Sequence, residues 1–486
     1  VRAGGAAACL ATASAAAFAL SACSFAPKYA APTIATPPAY KEAGDWTPAA
    51  PADAEPRGPW WSVYGDPVLS DLEGRIETAN PSLASYVARY DQARALLAQA
   101  RASLLPEIDA QGHATEQRQS QHRPLRVGGN TYYADNLIGA STAYELDFWG
   151  QLRNQVAAGK AAAQASQADV ATIRLSLQAD LADDYMNLRG LDAQDRLLKQ
   201  SVDAYRRALD LTIQRHDGGA VSGLDVDQAR TQLETARAQE SDVVAQRKLV
   251  EHAIAVLVGQ PASSFSLAPV DSDLITPPRI PISTPAGLLQ RRPDIAAAER
   301  RAAAANAQIG VTKAAFYPNI LLNASGGLET AGGVNLLNAG NSFWTVGPSA
   351  VMPLFDGGRR KGQVQQVEAQ FRQAADDYRS TVLGAFQQVE DNLALCNDLA
   401  QEAEREAAAV QAARAAEDLS LVRYQQGAVT YLDVVTAQTA ALTAERTALQ
   451  LATRRLQASV DLVRALGGGW TVAQDTLLRE ASAARP

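Results

Sequence analysis

The sequence predicts a mainly α chain with a smaller membrane-type β part, built from two tandem copies of one unit: helix, strand, strand, long helix, return helix. Three observations carry that prediction. Apolar residues step by three and four over stretches far longer than a globular core requires, as in coiled coils. Strict apolar–polar alternation, the mark of a strand with one apolar face, occurs four times in two pairs. Landmarks also recur at fixed offsets: Pro81 and Pro293 are 212 apart, while Gly150 and Gly358, Gly219 and Gly427, and Gly259 and Gly467 are each 208 apart. Constant offsets at separate landmarks mark a duplication.

Composition narrows the class. Of 486 residues 47% are hydrophobic, yet only 6% are aromatic, which suits close-packed helices better than an aromatic core. Lys and Arg number 44 against 52 Asp and Glu, with no basic block of the kind a nucleic-acid surface needs. Residues 1–22 have the form of a secretory signal: Arg2, then an Ala-rich apolar run to Leu20 that is too short to span a bilayer. Leu20-Ser21-Ala22-Cys23 resembles the bacterial lipoprotein box, which implies acylation of Cys23, and Ser24 resembles the lipoproteins sorted to the outer membrane. Cys9 would leave with the signal, so Cys396 is the remaining free thiol and no disulfide is expected.

Residues 23–79 form a lipid-anchored, Pro/Ala-rich N-terminal segment, of which 24–60 read as extended and irregular, leading from the lipid anchor to the folded body. The first repeat, 80–259, opens with a helix from Pro81 to Leu105 that Pro106 stops. Its strands are placed at about 106–117 and 133–148, with Ile108, Ala110, Gly112 and Ala114 sharing one face and Ile138, Ala140, Thr142, Tyr144, Leu146 and Phe148 another. Such faces suit a membrane barrel, and equally a half-buried soluble sheet. A helical hairpin then fills 150–258, its long arm on the order of 100 Å at 1.5 Å per residue. A Pro-rich connector, 260–291, leads to the second repeat, 292–467, with strands at about 318–329 and 343–355 and a hairpin over 359–466; residues 468–486 form a tail.

Each strand pair hands over to its helix through a turn: Leu146 to Arg153 in the first repeat and Pro353 to Arg360 in the second. Gly150, Gly357 and Gly358 supply the freedom such a turn needs, beside Asp147, Pro353 and Asp356. Four strands cannot close a barrel in lipid, where open edges are not tolerated, so closure would require several chains.

These features together resemble the outer-membrane efflux proteins, the TolC-like family, in the lipoprotein branch typified by OprM and NodT. The residues that carry the resemblance are the lipobox, Tyr144-Glu145-Leu146-Asp147-Phe148-Trp149-Gly150, Pro353-Leu354-Phe355-Asp356-Gly357-Gly358-Arg359, and Arg423-Tyr424 with Gly427 and Tyr431-Leu432-Asp433-Val434. The resemblance implies a homotrimer with a twelve-stranded barrel and a long α-helical periplasmic tunnel. It implies a periplasmic membrane-fusion adaptor and an inner-membrane pump, of RND type, as partners, and a place in the bacterial outer membrane. By match to the tip motif it implies gate residues Asp433, Asp225 and Tyr424. The tips Gly219, Ala220, Val221, Ser222 and Gly427, Ala428, Val429, Thr430 would be the adaptor-docking site.

Plainer readings stand beside these. Asp225 and Asp433 fall in the first turn of their return helices, where a carboxylate favours the positive helix end, and the tips also read as simple hairpin turns. A second gate carboxylate of the family falls on Thr436, which weakens any acidic ring. No cofactor, metal spacing among the four His or catalytic motif is seen, so an enzyme is not expected. The rival functions are an exit duct for type I protein secretion and a periplasmic coiled-coil adaptor; an adaptor has one hairpin, and this chain has two.

Overall fold

The computed structural model describes residues 24–43, 59–120, 132–271, 274–278, 280, 285–331 and 335–468. The signal at 1–22, the lipid-anchor candidate Cys23 and the tail beyond 468 lie outside the described residues. In chain order the main elements are α1 (Pro67–Ala79), α2 (Pro81–Ala102), β1 (Glu107–Arg118), β2 (Tyr132–Glu145), α3 (Gln151–Asp217) and α4 (Gly223–Leu257). The second half supplies α5 (Pro285–Arg291), α6 (Pro293–Ala314), β3 (Asn319–Thr330), β4 (Ser342–Val351), α7 (Arg359–Gln425) and α8 (Tyr431–Ala465). The duplication holds to the residue: both ends of α2 and α6, and of β1 and β3, differ by 212, and both ends of the long and return helices differ by 208.

Contacts divide the described chain into two units. The first holds the segment ending at Thr33, Arg89–Gln167 and Ala297–Arg379. At its centre is an antiparallel sheet of order β1-β2-β3-β4. Residues directly opposite one another share a face, and the registers line up the four alternations. Ile108, Thr142, Ala324 and Val346 form one row; Ala110, Ala140, Gly326 and Trp344 form the next. The result is one apolar face across all four strands, and it is open: Ile108 is 73% exposed, Trp344 81% and Val346 62%. Two strand ends differ from the sequence expectation. Strand β2 stops at Glu145 and not at 148, and β4 stops at Val351 and not at 355. The alternation continues past both points, but β4 ends where its partner begins, Asn319 standing opposite Val351, and after Leu146, still bonded to Ile320 O, the first copy turns at Asp147, which caps α3.

The second unit holds Ile34–Ala88, Ala168–Ala296 and the chain from Ser380 onward. Here the three-four stripe of α3 is the core: Val170, Leu177, Leu181, Tyr185, Leu188, Leu198, Val202 and Tyr205 are all buried. The end of the N-terminal segment, to which the sequence reading assigned no element, holds a short turn, Trp60–Tyr64, and the helix α1. The signals were present. Asp66 caps α1 by accepting from Val68 N at 2.8 Å and Leu69 N at 3.1 Å, Pro67 occupies the first helical position, and Leu69, Leu72 and Ile76 step by three and four into the core. Asp66 also accepts the Tyr185 hydroxyl at 2.6 Å, which ties α1 to α3. The connector likewise contains a helix, α5, that the prolines concealed.

The duplication therefore begins before Pro81 and Pro293. At matching positions Asn80 and Arg292 are buried, and each donates to the last turn of its return helix: Asn80 Nδ2 to Leu257 O at 2.7 Å, and Arg292 Nη1 to Ala465 O at 3.0 Å. These bonds satisfy carbonyls that a helix C-terminus leaves without partners.

Helix α1 also holds a costly group. Glu73 is fully buried, and neither of its oxygens has a hydrogen-bond partner among the described residues. Burial, reinforced by the nearby Glu77 carboxylate, pushes its pKa up to about 9. A carboxyl raised in the folded state favours folding below its unfolded pKa, and that contribution is lost as pH rises through the folded pKa. Between pH 4.5 and 7 the loss is on the order of 3 kcal/mol. Glu73→Leu is therefore expected to raise the apparent melting temperature at pH 8 by several degrees and to change it much less at pH 5. An equal shift at both pH values would show that the carboxyl is not the source.

Candidate functional site

Both hairpin tips are built alike. In the first, Gly219 adopts φ 73°, its N–H donates to His216 O at 2.8 Å, and Ala220 N–H donates to Arg215 O at 2.8 Å. In the second, Gly427 adopts φ 76°, with Gly427 N to Tyr424 O and Ala428 N to Arg423 O both at 2.9 Å. This is the left-handed glycine termination of a helix, which a side chain at that position would strain. The return helices then start in capping boxes. Ser222 N donates to Asp225 Oδ2 at 3.2 Å, and Thr430 N donates to Asp433 Oδ2 at 3.0 Å, with the Thr430 hydroxyl adding a bond of 2.8 Å. Exposure matches position by position. Gly219, Ala220 and Ser222 are open with Val221 half-buried, as are Gly427, Ala428 and Thr430 with Val429.

Asp225 and Asp433 thus act as helix caps. They differ in setting: Asp225 is half-buried, whereas Asp433 is exposed. Asp433 heads an open face of α8 that continues through Thr436, Ala440, Thr443 and Thr447. Each of those threonines donates its hydroxyl to the carbonyl four residues earlier, so beyond Asp433 this face of α8 shows methyls, with Glu406 of α7 lining the same groove.

Tyr424 lies inside the tip and not on its open surface. It is 2% exposed, inside an apolar cluster with Ala229, Tyr431 and Val434. Its ring meets Tyr431 edge-on at 5.2 Å, and its hydroxyl donates to Thr212 Oγ1 at 3.4 Å. Arg215, on the last turn of α3, covers the other face of the ring with its guanidinium carbon 4.6 Å from the centroid, and also donates to Tyr424 O. The pair therefore joins the end of α3 to the end of α7. Arg215 escaped the sequence reading because a basic residue in a last helical turn looks like an ordinary partner of the helix dipole.

Two more residues were missed. Leu224 and Leu432 are equivalents in the second turn position of the return helices, and they are 66% and 56% exposed. In a three-four pattern an apolar residue reads as core; only their recurrence within the tip motif could have marked them.

The strand-to-helix junctions use one device with different lengths. In the first, Asp147 accepts from Leu152 N at 3.2 Å and Arg153 N at 2.9 Å, and Arg153 Nε pairs with it at 3.1 Å. In the second, Asp356 accepts from Gly358 N and Arg360 N at 3.1 and 3.2 Å, and from Arg360 Nε at 2.6 Å, which holds its carboxyl below the usual range. Gly150, Gly357 and Gly358 all have positive φ, and Pro353 O accepts from Arg360 Nη2 at 2.6 Å. Beside the first junction the N-terminal segment is held down. Ser24 Oγ donates to Asn154 at 3.0 Å, Phe25 stacks on Tyr317 at 4.3 Å, and Trp149 stacks on the same ring at 5.0 Å.

Residues 74–260 and 285–468 match the family described as outer membrane efflux protein. Among curated proteins the chain is similar to the pyoverdine export outer membrane protein OpmQ of Pseudomonas aeruginosa, at 32% identity over 88% of this chain and 91% of that one. It is likewise similar to the outer membrane protein OprJ of Pseudomonas aeruginosa, at 31% identity over 93% and 94%. Among solved structures it resembles the outer-membrane channel OprN, with a TM-score of 0.84 and 28% identity over 91% of this chain and 99% of that one. It also resembles the outer membrane protein VceC of Vibrio cholerae, with a TM-score of 0.79 and 29% identity over 85% and 99%.

Proposed function

The chain belongs to the outer membrane efflux protein family, and from that premise we propose that it is the exit duct of a tripartite efflux system, passively conducting what an inner-membrane pump of RND type delivers through a periplasmic adaptor. The observation that carries this reading is the continuous apolar face of the sheet, open across four strands whose outer edges are also unpaired. In water such a face and such edges are a liability, whereas in lipid the face is stable once the edges close. Three copies, twelve strands, close them.

On this reading Asp433 lies at the narrow end of the conduit. A ring of one carboxylate per chain on an otherwise weakly polar face favours cations and resists anions. Asp225, half-buried in its cap, supports the shape of the tip, and Tyr424 holds the two hairpins together from inside. The tips present Gly219 and Gly427 for close backbone approach, flanked by the open Leu224 and Leu432; this suits the apolar end of an adaptor hairpin. Cys23 is proposed to carry lipid. Ser24, the next residue, is fixed beside the first strand-to-helix junction, where an acyl chain would meet the membrane boundary. Cys23→Ser is expected to abolish incorporation of labelled palmitate, and persisting label would refute the anchor.

Reconstitution of the purified chain in planar bilayers tests the duct. Stepwise conductance is expected, with Asp433→Asn lowering cation preference severalfold. No conductance, even from variants that loosen the tips, would overturn the reading.

A further inference from the structure

The surface just below the sheet carries an inference that rests on the sheet lying in lipid, as proposed above. One face of α6 identifies that surface. Tyr29 donates to Glu299 at 2.7 Å, Asn306 donates to Pro27 O at 2.8 Å, and Tyr317 stacks on Phe25, so the N-terminal segment runs along this face. At its upper end Phe25, Tyr317 and Trp149 form one aromatic stack beside the strand ends. Stacked aromatics at that level are the girdle of a lipid–water boundary. Lys313 belongs to the same face, seven residues beyond Asn306 and one turn below Tyr317. It pairs with Glu368 of α7 at 3.0 Å. Lys361 lies two turns above Glu368 on the same side of α7.

The duplication repeats this arrangement in the first half, with one change of charge. Lys313 corresponds to Arg101 of α2 at the offset of 212, and Glu368 corresponds to Lys160 of α3 at the offset of 208. The two helices pack at this level, since a Cβ on Gly159 would lie 3.6 Å from Leu97 Cδ1 and 3.9 Å from Ala100 Cβ. Where the second repeat sets a lysine against a carboxylate, the first therefore sets an arginine against a lysine. Both are exposed, and neither side chain has an acidic partner among the described residues. Arg153, the counterpart of Lys361, adds a third cation two turns above Lys160, although Asp147 holds it at 3.1 Å. Leu105, the counterpart of Tyr317, stands 70% exposed one turn above Arg101.

Two cations side by side repel unless an anion lies between them. We infer that Arg101 and Lys160 hold the phosphate of an anionic phospholipid in the periplasm-facing leaflet, whose acyl chains continue past Leu105 towards the apolar face of the sheet. The arginine supplies paired N–H donors to two phosphate oxygens, and the lysine supplies a compact charge. A zwitterionic headgroup brings its own cation to the pair, so a lipid with net negative charge is favoured. In the second repeat Glu368 already neutralises Lys313, and the same pair of free cations does not form. Each chain thus has one such site, in its first repeat.

The test uses the full chain reconstituted in vesicles of phosphatidylcholine containing a minority of phosphatidylglycerol. The vesicles are floated, and the protein is extracted in mild detergent for native mass spectrometry. Phosphatidylglycerol is expected to stay bound, one per chain, and to be favoured over phosphatidylcholine by at least about fivefold, the attraction of a single basic residue to an anionic surface. Lys160→Glu, which writes the ion pair of the second repeat into the first, should remove that preference. Glu368→Lys should add a second bound phosphatidylglycerol per chain. The charge-matched variant Lys248→Gln with Arg405→Gln, two exposed residues of α4 and α7, should change nothing. Equal retention of both lipids by the unaltered chain, an unchanged preference in Lys160→Glu, or a lost one in the charge-matched variant overturns the inference. Displacement of the lipid by excess inorganic phosphate overturns it too, since the pair would then be a site for a free anion. A chain that fails to float with the vesicles would instead remove the membrane reading on which the inference rests.

Discussion

Gly327→Val is expected to leave almost no folded protein in the outer membrane, while Gly326→Ala, one residue away, leaves wild-type amounts. The two glycines differ in what a Cβ would meet. At Gly327 it would lie 2.3 Å from Ile138 O and 2.6 Å from Gly139 Cα, so the backbone of β2 itself blocks it. At Gly326 the nearest atom is Phe343 O at 3.4 Å, an ordinary contact. Gly139 and Gly327 stand directly opposite each other, and no side chain can rotate away to relieve the clash. Relief requires opening the β2–β3 ladder, the one that joins the repeats, at a cost of several hydrogen bonds of about 1 kcal/mol each. The heat-modifiable band of the outer-membrane fraction on a denaturing gel reports the outcome. Normal levels of Gly327→Val would mean that the strands are not so closely apposed.

The second large effect is expected at the tips. Arg215→Ala removes both the guanidinium over the Tyr424 ring and its bond to Tyr424 O, the contacts that join the ends of α3 and α7. With Arg215 only half-buried, the cation–π contact is worth about 1 kcal/mol, so the balance of closed to open tips should shift by a factor of roughly 5. Bilayer recordings should show a severalfold rise in mean conductance. Arg215→Lys should fall between, since an ammonium lacks the planar face that stacks on the ring while its bond is made. Conductance unchanged in both variants would show that this pair braces the fold without holding the tips closed.

Much of the architecture was legible before any coordinates. The recurrence of Gly150, Gly219 and Gly259 at 358, 427 and 467 placed both hairpins to within a few residues, because glycine is needed wherever the chain turns sharply. The alternations from Ile108 and Ile320 named the face that the registers later aligned. Helix α1 went unseen because its capping signal at Asp66-Pro67 followed a proline-rich stretch that set the reading of the whole segment. The motif marked the tips, and the first-turn positions of Asp225 and Asp433 already suited the capping bonds they make; the inward placement of Tyr424 was not legible, because its burial depends on residues of other helices.

By itself the sequence determined the duplication, the order of elements, the lengths of the long helices and which side of each strand is apolar. All of these follow from spacing along the chain, and spacing is a local property. Tertiary structure alone decided that Arg215 grips Tyr424, that Asn80 and Arg292 hold equivalent helix ends, and that Glu73 is buried with no hydrogen-bond partner among the described residues. It also decided where β2 and β4 stop. Burial and pairing depend on which distant residue stands opposite, and β4, whose pattern runs on, still ends opposite Asn319, where its partner begins.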